Sequence, residues 1–210
     1  SRALDTAPAS ARRGSAANPF PDLVGRSPAM QTAFRLIARL SSASVPVLIT
    51  GPEGSGRASA ARTLHRAASG DAPLVEAGPD RLTREGPAVF EEARGSGLLL
   101  RRANKWSEAV QDMVLDQLVR PDAPRLYVTG SQDVRDHLCA PLFERLAIGH
   151  IAMPPLRERG EDRARLFEHF LRKHGRKDTS LSADASAFIN AYPWPGEVAE
   201  LERTAARLAV

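Results

Sequence analysis

Short apolar runs alternate along this chain with stretches in which apolar residues recur every three or four positions, a pattern that predicts strands punctuated by helices. Val45 to Thr50, Leu74 to Ala77, Leu98 to Leu100, Leu126 to Thr129 and Ile148 to Met153 read as strands. The wholly apolar Leu98-Leu99-Leu100 suits a parallel strand covered on both faces. Ser27 followed by Pro28 reads as an N-cap and first helical position, and Met30, Phe34, Ile37 and Leu40 then fall on one face. Further helices are predicted from Ala58 to about Ala68, closed by Gly70, over Ala88 to Ala93, and after Ser107, with Val110, Met113, Val114 and Leu118 along one side. This alternation predicts an α/β domain, a parallel sheet with helices on both faces.

Beyond Pro154-Pro155 the pattern changes to helices alone: Asp162 to Lys173, Ala183 to Ala191 capped by Ser182, and Glu197 to Val210. That predicts a small all-helical lid over residues 156–210, following an α/β core over 21–155. Residues 1–20, rich in Ser, Ala, Arg and Pro and without periodicity, read as a linker or disordered arm.

Composition narrows the class. With 210 residues and 42% hydrophobic content the chain can bury a proper core. Its 29 basic and 25 acidic residues are interspersed, giving a net charge of +4 and a mildly basic surface. Lys105, Lys173 and Lys177 are the lysines and every other basic residue is arginine, so a single Lys→Arg change carries little weight here. The lone cysteine, Cys139, excludes an internal disulfide and fits a reducing cytoplasm. No apolar run is long enough for a membrane span, the five histidines do not cluster as metal ligands, and no metal site is expected. A start without methionine and a stop inside a helical pattern lead us to expect a piece of a longer protein.

The candidate chemistry lies where the first strand ends. Val47 to Thr50 runs into Gly51-Pro52-Glu53-Gly54-Ser55-Gly56-Arg57 and then into the helix beginning near Ala58. Strand, glycine-rich turn and helix is the context of a phosphate-binding P-loop, whose backbone N–H groups turn inward around phosphate oxygens at a helix N-terminus. The lysine expected after Gly56 is Arg57. Arginine keeps the charge and can fork onto phosphate; alternatively its larger planar head fails to fit beneath the loop and turns to solvent.

Several segments together resemble the central AAA+ ATPase domain of the bacterial enhancer-binding proteins, the NtrC-like activators of sigma-54 RNA polymerase. They are Leu23-Val24-Gly25-Arg26-Ser27-Pro28-Ala29-Met30, the glycine loop, Phe90-Glu91-Glu92-Ala93, Pro154-Pro155-Leu156-Arg157-Glu158-Arg159-Gly160-Glu161-Asp162, and Ala191-Tyr192-Pro193-Trp194-Pro195-Gly196-Glu197-Val198. The resemblance implies the AAA+ P-loop NTPase fold, with ATP or ADP contacted by Val24, Gly25 and the loop from Gly51 to Ala58. It also implies self-association, further domains in the parent regulator, DNA binding through a C-terminal domain outside this chain, contact with RNA polymerase, and a cytoplasmic location.

The same resemblance exposes departures. The family's second motif strand ends in Asp-Glu, the Asp for Mg²⁺ and the Glu for the attacking water, and here Arg101 and Arg102 stand in those places. Arginine neither deprotonates to act as a base nor ligates a metal. The sensor Asn falls on Ser131, the first of two interface arginines on Cys139, and the lid's sensor arginine on Ala199; only the second interface arginine, Arg145, is present. The long insertion carrying Gly-Ala-Phe-Thr-Gly-Ala is reduced to Gly78 to Pro87. The expectation is therefore a degenerate member, not an enzyme, a regulatory and oligomerisation module that binds ATP or ADP, if at all, without productive Mg²⁺. The alternative is a nucleotide- or cyclic-dinucleotide-binding allosteric switch without turnover. Arg101 and Arg102 then read either as a rebuilt anion site or as an exposed strand end. Arg157 and Arg159 are expected to pair with Glu158 and Glu161 at the hinge between core and lid, and Trp194 to anchor the lid's packing.

Overall fold

The computed structural model describes Phe20, residues 23–176 and residues 180–209. In chain order the core comprises α1 (Pro28–Ser41), β1 (Val47–Thr50), α2 (Arg57–Ser69), β2 (Leu74–Ala77), α3 (Pro79–Glu85), α4 (Ala88–Glu92), β3 (Gly97–Leu100), α5 (Glu108–Leu118), β4 (Arg125–Gly130), α6 (Ala140–Leu146) and β5 (Gly149–Ala152). The five strands form one sheet in the order β2-β3-β4-β1-β5, with every neighbouring pair parallel. Strand β1 thus sits beside β4, with Thr50 level with Gly130, and the loop that leaves β1 opens at the carboxyl edge of the sheet. That edge is where open α/β sheets bind ligands.

Period-two alternation divides the strand side chains between two cores. Leu48, Leu98, Leu100, Leu126 and Val128 face the side covered by α4, α5 and α6, packing with Phe90, Val110, Val114, Leu142 and Leu146. Val47, Ile49, Leu99, Tyr127 and Ile151 face the other side, with Met30, Phe34 and Ile37 of α1 and Ala60, Ala61 and Leu64 of α2. The helical lid contains α7 (Asp162–Lys173), α8 (Ala183–Ala191) and α9 (Glu197–Ala209) around a separate core of Leu156, Leu166, Phe167, Phe170, Leu171, Ile189, Trp194, Leu201 and Ala205. Trp194 donates its indole N–H to the Ile189 carbonyl at 2.8 Å and packs on Tyr192 and Phe167, so it anchors the lid.

Some expectations need correcting. The first and last strands begin later than their apolar runs, at Val47 and Gly149, and the last ends at Ala152. The arm expected over residues 1–20 lies outside the described residues except for Phe20, which is buried against Phe34 with ring centroids 6.0 Å apart and so belongs to the core. The predicted last helix is seen to Ala209; Val210 lies outside the described residues. The short connection from Gly78 to Pro87 is filled by α3, which the apolar pattern does not reveal. Its signals are local: Pro79 at the first helical position, Asp80 in the first turn and Gly86 at φ 54 closing it. Arg81 fastens α3 by bonding Glu85 at 2.7 Å, the Glu76 carbonyl at 3.0 Å and Glu92. Helix α6 was equally silent: Leu142 and Leu146 are one turn apart in a segment too short to show a period.

Candidate functional site

The glycine loop depends on two residues that only glycine fits well. Gly56 lies at φ 98 and opens α2, with no atom within 4 Å of where a Cβ would stand, so the loop's mouth is clear. Gly54 lies at φ 86, and a Cβ there would come within 2.5 Å of the Gly196 carbonyl oxygen. The lid therefore rests directly on the loop. The Ala199 amide donates to the Gly54 carbonyl at 3.1 Å, which makes the start of α9 one wall of the site.

Arg159 completes this junction. Only 2% exposed, it donates to the Ser55 carbonyl at 2.7 Å and to the Pro154 carbonyl at 2.9 and 3.1 Å. Burial pushes its guanidinium down to about 10, with Glu197 and Asp162 opposing the shift, so it stays charged at neutral pH. The expected hinge pairing is thus corrected. Arg157 does approach Glu158, at 3.7 Å on the exposed surface, and Glu161 instead faces Arg165 at 3.8 Å. Arg159 turns inward because the backbone carbonyls of the loop offer a buried, fixed set of acceptors. Glu197 accepts from the Leu156 amide at 2.6 Å and Asp162 from the Arg26 and Ser27 amides at 2.7 and 2.9 Å, joining lid, hinge and N-terminal segment.

Between core and lid lies a cleft of about 890 Å³. Its lining combines apolar side chains, Leu23, Val24, Met30, Leu166, Phe170 and Val198, with Arg57, Arg101 and Arg102. Arg57 is half-buried, and its guanidinium donates to the Gly130 carbonyl at the end of β4. Burial lowers its pKa; Glu53 raises it, and Arg102 and Arg101 lower it further. Trp106 fixes the Arg101 backbone by donating to its carbonyl at 3.3 Å, while the Arg101 amide bonds the Ala77 carbonyl at 2.8 Å. Arg102 is held in the left-handed region at φ 57, and its amide donates to Thr129 Oγ1 at 3.3 Å. Strained backbone of this kind persists where its surroundings over-determine it. The Arg102 side chain meets Glu53 at 3.0 Å, with both groups largely exposed.

Of the residues expected in the site, Val24, Glu53, Gly54, Ser55, Gly56, Arg57, Ala58, Arg101, Arg102 and Ala199 line the cleft. Gly51, Pro52 and Gly25 do not; Gly51 lies against Met153, and Gly25 packs on Met30 and Asp162. Ser131 also stands outside the lining, its amide bonded to Asn104 Oδ1 at 3.2 Å. Cys139 is exposed at the cap of α6, its amide bonded to Gln111 Oε1 at 2.7 Å. Arg145 is exposed on α6, away from the cleft. Arg159, Arg62 and Thr129 also line the cleft and were missed as site residues. Arg62 holds Glu76 through two bonds of 2.6 and 2.9 Å. Nothing local marks any of the three; the one available signal was the second arginine of Leu156-Arg157-Glu158-Arg159.

The site residues suit phosphate better than metal. Ser55 Oγ is buried in the loop with no hydrogen-bond partner among the described residues, and the space over Gly56 is open. Mg²⁺ in a P-loop needs oxygen donors, ordinarily a loop hydroxyl and a carboxylate at the end of the second motif strand. Here Ala58 offers a methyl group, and the strand is followed by two guanidinium groups. No cluster of three or more acidic, His or Cys residues suited to a metal occurs among the described residues. The donor set does not fit Mg²⁺.

Residues 24–156 match the Sigma-54 interaction domain family, and residues 157–210 match the AAA+ ATPase lid domain family. The chain belongs to the sigma-54-interaction AAA+ family. This sigma-54-interaction domain is 32% identical to the C4-dicarboxylate transport transcriptional regulatory protein DctD of Pseudomonas aeruginosa, covering 90% of this chain and 50% of that protein. It is 30% identical to the DNA-binding transcriptional regulator NtrC of Escherichia coli, covering 91% of this chain and 50% of NtrC. Among solved structures, NtrX of Brucella abortus in complex with ATP superposes with a TM-score of 0.80 at 26% identity, covering 89% of this chain and 50% of NtrX. The chain spans about half the length of the curated relatives it matches. The DctD match runs over 231 residues, more than the 210 of this whole chain, so the relative carries extra residues within the shared domain. The NtrC-like AAA+ assignment from the residue motifs agrees with these matches. Among the described residues no helix is long and apolar enough to cross a membrane.

Proposed function

We propose that this domain is a catalytically degenerate regulatory module of an NtrC-like transcriptional regulator, one that keeps the AAA+ fold and its nucleotide cleft without hydrolysing ATP. A single observation carries the reading: Arg101 and Arg102, cations with no capacity to act as base or ligand, stand at the cleft where the family's fold calls for two carboxylates. The loss of the lysine at Arg57 and of a sensor cation at Ala199 supports it, because each removes a group that would stabilise charge in phosphoryl transfer.

The role that remains is structural and allosteric. The module self-associates and couples the other domains of its parent regulator to DNA bound through a separate domain, in the cytoplasm. Its compact α3, in place of a long insertion, speaks against remodelling sigma-54 polymerase, and any contact with the polymerase is then of another kind. A second reading, a nucleotide- or cyclic-dinucleotide-binding switch without turnover, is favoured by the convergence of Arg57, Arg101 and Arg102 on one cleft. The test is phosphate release at high protein concentration with ATP and Mg²⁺. No release above the protein-free background is expected; turnover at the rate of a working relative such as NtrC, assayed in parallel, would overturn the reading.

A further inference from the structure

We infer that the cleft takes a nucleoside triphosphate free of divalent metal, and that Mg²⁺ opposes its binding instead of assisting it. The inference deepens the reading above and rests on it: the carboxylates are gone from the second motif strand, and their replacements are cations facing the same loop.

In a metal-dependent P-loop the divalent ion neutralises phosphate charge and is itself held by protein oxygens. Here the neutralising charge belongs to the chain. Arg57, Arg101 and Arg102 all line the loop end of the cleft, close enough for the second and third to disfavour the charge on the first. Their backbones are pinned, Arg101 through Trp106 and the Ala77 carbonyl, Arg102 through Thr129 in a left-handed conformation. Arg101 and Arg102 both oppose the charge on Arg57 beside the loop, and an anion there relieves that repulsion. A triphosphate without its metal is more negative by the full charge of the ion, so it gains more from this site than the Mg²⁺ complex does. The complex would bring a further cation against two guanidinium groups with no carboxylate to receive it.

The shape of the cleft specifies more than phosphate. Its wall also includes Leu23, Val24, Leu166, Phe170 and Val198, apolar side chains of the kind that suit a base. Glu53 supplies a regulatory detail. Its carboxylate rests on Arg102 at 3.0 Å, where a phosphate oxygen would compete for the same guanidinium. With side chains 59% and 80% exposed, this pair is weak and is displaced at little cost.

The test is calorimetric titration of the 210-residue chain with ATP at matched ionic strength, once with chelator and once with excess Mg²⁺. Binding in chelator should be at least about tenfold tighter than in Mg²⁺. Inorganic triphosphate should bind more weakly than ATP in chelator if the apolar wall holds the base; equal affinity would overturn the nucleoside part of the inference. Glu53→Gln should tighten ATP binding by no more than about fivefold, and weakening would overturn its competing role.

The decisive variant is the double change Arg101→Asp with Arg102→Glu. Both side chains are exposed, so the fold should tolerate it, and Mg²⁺ should now tighten binding. Should circular dichroism show the double variant unfolded, Arg101→Gln serves instead, and its affinity in chelator should fall toward that in Mg²⁺. Tighter binding of ATP with Mg²⁺ in the unaltered chain, no heat at millimolar ATP in chelator, or an unchanged metal preference in the folded variant would each overturn the inference. None of these outcomes restores hydrolysis, so phosphate release continues to judge the proposed function separately.

Discussion

At Arg159 a full positive charge is enclosed by protein and satisfied by the Ser55 and Pro154 backbone carbonyls. Removing the side chain strands the Ser55 and Pro154 acceptors and leaves Glu197 and Asp162 without the cation that faces them. Arg159→Ala should therefore cost roughly 2–4 kcal/mol, read as a lowered urea midpoint, and Arg159→Lys should recover only part because one ammonium cannot span both carbonyls. Local sequence could not foretell this residue, since a charged side chain in Leu-Arg-Glu-Arg reads as a solvated or paired group and only the folded chain brings Ser55 to it. Arg57 taught the opposite lesson. Its position in the loop was legible, but its bond to the Gly130 carbonyl, 73 positions away, was not.

Among the elements, the strands and long helices were readable because each pairs a clear period with a cap or a glycine stop, as Ser27 and Pro28 do for α1 and Ser182 for α8. The two seven-residue helices, α3 and α6, escaped because fewer than two turns show no period, and their caps, Gly78 and Cys139, make no side-chain bond. The junction between loop and α9 was also invisible, being made of backbone atoms. It can be tested at Gly54, where any side chain collides with Gly196. Gly54→Ala should lose about 1–3 kcal/mol. Hydrogen exchange at the Ala199 amide should accelerate while the strand amides of β1 and β4 keep their protection, and uniform loss of protection would refute a lid-specific effect.

For the whole molecule, fold class and the succession of core and lid followed from the apolar pattern, whereas strand order did not. Nothing in Val47 to Thr50 says that it lies between β4 and β5; the order β2-β3-β4-β1-β5 is a property of crossovers, accessible only through the family resemblance or the fold itself. The cleft was half legible: the loop was, and its far wall from α7 and α9 was not. Self-association belongs to this scale as well. Arg145 stands exposed on α6, outside the cleft. Arg145→Glu should leave the monomer's stability within about 0.5 kcal/mol and lower the average mass measured by light scattering at high concentration; an unchanged mass would remove Arg145 from the interface.

Asp162 ties the segment before α1 to the start of the lid. This one carboxylate, enclosed at the first turn of α7, takes the amides of Arg26 and Ser27 just where α1 begins, the latter across 135 positions, so it serves two helix starts. The segment arriving from upstream is thereby harnessed to the lid without the sheet lying between them. Residues 26 and 27 are thus two hydrogen bonds from α7, which packs on α9, the helix whose Ala199 amide bonds the Gly54 carbonyl of the loop.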